Sequence, residues 1–256
     1  WGLHNFPNVI EGRATDTVPL AVAINPADCE DDFSIDVETP LAGANGIVPA
    51  GWGCLTDAEH RDGSDILIVR RAEETATATA DLEAGRVYVR ADESPRGRLF
   101  TGAEPAGFSI YATNHALVSN VYYVRPWSFT DANGDRDDIP SLRRKRLRVS
   151  GGAMELFDEE VITGVEDMQV QFGVDTSGDN AADLYVDADN DTVLDAVGAD
   201  VVSARVWLLM RAETPEVGYS DDRAFVLGDT TRTAGTDIPA NFRRVVLSRT
   251  IAVRNP

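Results

Sequence analysis

Residues 165–213 open with VEDMQVQFGVDTSGD and close with DVVSARVWLLMRAE. Both ends read as strands, apolar and β-branched residues alternating in part with polar ones. The loop between them carries Asp175, Asp179, Asp183, Asp187, Asp189, Asp191 and Asp195, and no Lys or Arg occurs anywhere from residue 149 to 204. Carboxylates crowded in this way repel one another, so the loop must be either fully solvated or neutralised by cations.

Strand signals continue on both sides of this stretch. Residues 65–70 (DILIVR), 86–90 (RVYVR), 108–113 (FSIYAT) and 117–124 (LVSNVYYV) are β-branched or aromatic runs, with Asn114-His115 placed as a hairpin turn between the last two. Residues 145–149 and 153–157 flank Gly151-Gly152 as a second turn. At the far end, Val245, Leu247, Ile251 and Val253 alternate with Arg244, Ser248 and Arg254, the period of a half-buried strand. Helix is expected only in short pieces such as 72–75 and 158–163. Residues 1–60 are rich in Gly, Pro, Asn and Asp and read as irregular, with one short strand or helix near 18–24. The expectation is one domain over 1–256, its sheet in 61–256 and the acidic loop at 175–195, with mostly antiparallel pairing.

The chain has 23 basic and 43 acidic residues, a net charge of −20. That balance opposes binding to nucleic acid or anionic membranes through a general basic surface. Arg143, Arg144, Lys145, Arg146 and Arg148 form the one basic run, either a contact face or the partner of nearby acids. Cys29 and Cys54, the only cysteines, are too few for a four-thiolate zinc site. They are either a disulfide, which implies an oxidising compartment, or two buried thiols. No run of about 20 apolar residues is present to span a bilayer. The start at Trp1-Gly2-Leu3, without an initiator Met, suggests a soluble piece of something longer.

Oxygen ligation is the strongest chemical signal. Calcium takes six to eight hard oxygen donors, often from alternate positions of a short loop. Asp175, Ser177, Asp179 and Asp183 supply one half-loop; Asp187, Asp189, Asp191 and Asp195 supply another. Asp131, Asn133, Asp135 and Asp137 form a weaker candidate. None has the Gly and Glu of an EF-hand loop, so calcium stands beside the alternative of a solvated acidic turn. Catalytic patterns are missing: His4, His60 and His115 are scattered, with no G-x-S-x-G elbow and no H-E-x-x-H pair. Trp1, Trp52, Trp127 and Trp207 are either a glycan-stacking surface or parts of the core and rim of the sheet.

Residues 164–179 (GVEDMQVQFGVDTSGD) and 201–211 (VVSARVWLLMR) resemble the C-terminal region of PilW-family minor type IV pilins. GSDILIVRRA (63–72), VYYVRPW (121–127), IPSLRRKRL (139–147) and FRRVVLSRTIAVRN (242–255) resemble the family in the same order, and Trp1-Gly2 resembles the residues just after its N-terminal helix. The resemblance implies an α+β, pilin-like domain from which that long helix is absent, leaving an unpartnered apolar stripe drawn from 201–210 and 245–253. It implies a non-enzymatic role at the filament tip, priming assembly with other minor pilins and a tip adhesin and supporting adhesion or twitching. It further implies an extracellular or periplasmic location, with inner-membrane anchoring through the helix before assembly. A minor pseudopilin of a type II secretion system and a calcium-dependent glycan-binding module are the alternative readings.

Overall fold

The computed structural model describes residues 9–12, 20, 23–24, 29, 32–37, 39–92, 96–194 and 200–253. Two short strands, β1 (Val9–Glu11) and β2 (Ala23–Ile24), precede β3 (Leu41–Ala44), β4 (Ile66–Ala72), β5 (Val87–Ala91), β6 (Arg96–Thr101), β7 (Thr113–Arg125), β8 (Ser141–Ser150) and β9 (Ala153–Thr163). These nine form one sheet with β7 as its spine. β5 and then β4 pair along successive parts of β7, and β8 takes its other side. A second sheet holds β10 (Val165–Asp175), β11 (Leu184–Asp187), β12 (Asp200–Arg211) and, after the hairpin β13 (Ala224–Leu227)–β14 (Thr230–Thr233), β15 (Arg244–Ala252). Its order is β11-β10-β12-β15, antiparallel throughout. Among the described strands only the short β1–β6 and β2–β9 pairings are parallel.

The α+β expectation is overturned. Among the described residues the helical content is a single α turn, Asp191–Leu194, and two three-residue 3-10 turns. The protein is nearly all β. Residues 158–163, read as helix, lie within β9, where Asp158, Glu159, Glu160, Ile162 and Thr163 pair with β8 and Val161 falls at the shift in register. The Asn114-His115 turn is also wrong. Both residues lie within β7; Asn114 is buried and accepts a bond from Arg90 while donating to Glu104, and His115 Nδ1 meets Glu73 O at 2.8 Å. Polar residues so satisfied sit in a strand without breaking it. Residues 108–112 form loop rather than strand. Gly151-Gly152 does close the β8–β9 hairpin, at φ 59° and 84°.

The layers follow from side-chain alternation. Ile66 and Ile68 of β4, with Val121 and Tyr123 of β7, face a segment carrying Phe33, Trp52, Leu55 and the disulfide-linked Cys29 and Cys54. Leu67, Tyr122, Val124 and Leu142 point the other way, onto Met168, Val170, Phe172 and Ala204 of the second sheet. The hairpin covers the far side of that sheet, packing Phe225 and Leu227 on Trp207, Leu209 and Val246. Gly164 alone joins β9 to β10 and carries the chain from one sheet to the other. Its φ is +80°, and a Cβ there would sit 2.8 Å from Arg211 O, so a side chain is excluded. Among the described residues no helix is long and apolar enough to cross a membrane.

Candidate functional site

The acidic loop meets its charge with N–H donors. Asp175 ends β10 buried, accepting backbone bonds from Ser177 (2.9 Å), Gly178 (2.7 Å) and Asn180 (2.6 Å). Burial alone would raise its pKa; the N–H bonds outweigh that and hold the carboxyl below its ordinary value. Asp183 accepts from Thr176 N and Oγ1, both at 2.8 Å, and is lowered by those bonds. Asp179 accepts from Ala181 N and Asp187 from Gln171 Nε2. Asp189 is exposed. Asp195 and the side chain of Asp191 lie outside the described residues. In the second loop Asp131 accepts from Asp135 N and Asn133 N, while Asp137 accepts from Ser128 N.

Among the described residues no group of three or more His, Cys, Asp or Glu converges to hold a metal ion. The carboxylates serve as turn acceptors, in which short acidic side chains satisfy the backbone around them. Thermal unfolding in millimolar calcium and in chelator decides between the two readings of the loop: coincident curves assign it to a solvated acidic turn, and a rise of several degrees with calcium assigns a bound ion. Asp175→Ala should lower the melting temperature in chelator, where its backbone bonds alone are at stake.

The basic run of β8 is matched internally. β9 runs antiparallel beside it, setting Arg143 against Asp158 (2.6 Å) and Glu160, Arg144 and Arg146 against Glu159, and Arg148 against Glu155 (2.5 Å). Lys145 is buried, with its ammonium 5.6 Å from the Tyr123 ring. These are cross-strand pairs of the sheet rather than an open contact face. The tryptophans do not form one platform either. Trp52 meets Phe33 edge-on, Trp127 lies under the Arg136 guanidinium at 3.6 Å, and Trp207 lies against the hairpin; Trp1 and His4 lie outside the described residues.

The most connected polar site is one that sequence reasoning missed. Residues 63–65 (GSD) and 166–170 (EDMQV) are about a hundred positions apart, yet they interlock. Ser64 Oγ donates to Met168 O (3.2 Å) and accepts Met168 N–H (2.9 Å), and Asp65 N–H bonds to the same carbonyl (2.8 Å). The Asp65 carboxylate accepts from Val170 N (2.7 Å) and Gly46 N (3.0 Å). Gln169 Nε2 donates to Gly63 O and Asp167 Oδ1, and Arg232 reaches from β14 to Asp167 (2.5 Å) and Gly63 O (2.6 Å). Glu166 sits where the β10–β12 register shifts, between Val165 and Asp167. The bulge turns it toward a buried, two-pronged pair with Arg244 of β15 at 2.5 and 3.2 Å. Arg61 and Arg211 each approach Glu166 to 3.9 Å.

This network ties the first sheet, the second sheet and the hairpin together. It has the character of a fastening: its carboxylates are engaged by arginines and backbone donors, and His60, buried beside it, is held below the ordinary histidine pKa by that burial. The sequence signal was available in the alternation of polar residues within EDMQV, too polar for the core strand its neighbours describe.

Asp65 is the costly member. Burial, helped by nearby Asp167 and Asp229, pushes its pKa up to about 7 against the pull of its two N–H bonds. The folded pKa exceeds the unfolded one, so folding takes up a proton between about pH 4 and 7. The contribution to stability is full below that window and is lost as pH rises through 7. Urea unfolding should thus show stability falling from pH 5 to 8, and Asp65→Asn should flatten that slope. An unaltered slope in Asp65→Asn would rule out this origin.

The protein-family model described as Type IV Pilus-assembly protein W matches residues 121–255, just over half of the chain, from within β7 through β15. No curated protein and no solved structure matches the chain.

Proposed function

The chain belongs to the PilW family of type IV pilus-assembly proteins, and from that membership we propose that it is a non-enzymatic minor pilin acting at the filament tip. The observation that carries the reading is the family match, which takes in the whole second sheet and the EDMQV half of the buried network. A subunit that works by contact needs a rigid body with a defined surface more than it needs reactive groups. The ion-paired β8–β9 ladder, the disulfide and the interlocked 63–65 and 166–170 segments supply that rigidity.

In this reading the protein joins other minor pilins and a tip adhesin outside the cytoplasm, where Cys29 and Cys54 can oxidise. It primes filament assembly and thereby supports adhesion or twitching. Immunogold labelling of sheared pili with antibody raised against this chain tests the position. One gold cluster at one end of each filament is expected; labelling along the whole shaft, or none on filaments, would overturn the tip assignment.

A further inference from the structure

β15 is a sheet edge of a kind this fold otherwise protects. Val253 N–H bonds to Val202 O at one end and Ala212 N–H to Arg243 O at the other, at 2.8 and 2.9 Å. In that antiparallel register the odd-numbered residues of β15 turn their N–H and C=O groups toward β12, and even-numbered Val246, Ser248 and Thr250 turn theirs outward. Among the described residues no strand takes this outward row. β1, β3 and β11 end their sheets with only three or four residues, and β9, whose outer side pairs only with the two-residue β2, is a strongly charged strand whose Glu155, Asp158, Glu159 and Glu160 meet the β8 arginines. Short edges and charged edges resist strand pairing; a long apolar edge invites it.

β15 is nine residues long, about 30 Å of strand. Val245, Leu247 and Ile251 are 54, 50 and 58% exposed. They continue the face on which Val206, Leu208 and Met210 are half-buried against the core. Arg249 lies on that face between Leu247 and Ile251, and no ion pair engages it among the described residues. In a chain of net charge −20, residues 238–256 hold four arginines and no Asp or Glu.

We propose that β15 receives an extended segment of another pilus subunit as a fifth strand of the second sheet. That segment carries apolar side chains beside Val245, Leu247 and Ile251 and a carboxylate beside Arg249. Backbone pairing gives affinity and the alternate side chains give selectivity. A second copy of this chain is a poorer occupant, because it brings another −20 charge and another arginine to a strip that calls for a carboxylate. Naming the partner a pilus subunit rests on the function proposed above; the pairing edge itself does not.

The test uses two fluorescein-labelled ten-residue peptides of alternating Val and Thr, one with a central Asp in the apolar register and one with Lys there. The Asp peptide should bind at least tenfold more tightly than the Lys peptide, and its binding should protect the Val246, Ser248 and Thr250 amides from hydrogen exchange. Ser248→Pro removes only an outward N–H, so it should weaken binding tenfold or more while leaving the melting temperature unchanged. Arg249→Glu, a surface change that spares the backbone, should reverse the Asp-over-Lys preference even if the proline variant fails to fold. Equal binding of the two peptides, or undiminished binding by folded Ser248→Pro, would overturn the proposal. So would protection of the same amides that rises with protein concentration without peptide, which would assign the edge to self-association. Pili lost on gene deletion without peptide binding would sink this edge alone; peptide binding with normal piliation would sink the pilus reading alone.

Discussion

Arg244→Met should lower the free energy of unfolding by about 3–5 kcal/mol, the cost of leaving a buried carboxylate without its partner. Arg244 and Glu166 are both inaccessible to solvent, and their two-pronged contact joins β15 to the bulge in β10. Arg61 and Arg211 stand 3.9 Å from the same carboxylate but do not replace the direct hydrogen bonds. Glu166→Met combined with Arg244→Met should recover most of the loss, because two apolar side chains of similar volume leave no stranded charge. Urea denaturation of the two variants and the wild type measures this coupling. If the double variant is no more stable than Arg244→Met alone, the pair acts through shape rather than charge.

Joint replacement of Cys29 and Cys54 by Ser should cost about 3.5 kcal/mol on the loop-closure estimate for a 25-residue separation. The loss should be largest where the bridged segment covers the first sheet. There Phe33 and Trp52 pack on Ile66, Ile68 and Tyr123, and Arg70 Nε donates to Phe33 O at 2.8 Å. Melting followed by tryptophan fluorescence should shift by many degrees, and reducing agent should produce the same shift in the wild type. Identical melting of oxidised, reduced and Ser-substituted protein would remove the disulfide from the account of stability.

Period-two alternation was readable in the sequence wherever one face is wet. β15 shows it, and the Gly151-Gly152 turn correctly closes β8 against β9. The pairing of β10 with β12 follows from two long apolar runs joined by one loop. The long helix came from resemblance alone and the short helical pieces from the residues, and among the described residues the only α-helix is the single turn Asp191–Leu194. Residues 158–163 misled because their acids look solvated in isolation; only the register against β8 shows each one meeting an arginine. At Asp175 a run of carboxylates suggests a cation, and the structure adds backbone N–H groups, which no composition reveals, as local partners. The 63–65 and 166–170 network was hidden by distance along the chain, and Arg232, from a hairpin with no signal of its own, completes it.

The central claim is that this protein serves type IV pilus assembly by contact, and counting surface pili tests it most directly. In a strain lacking the gene, electron microscopy and immunoblots of sheared filaments should show surface pili strongly reduced. The wild-type gene should restore them, while its Arg244→Met form should restore fewer because the protein is destabilised. Normal numbers of surface pili in the deletion strain would contradict the account.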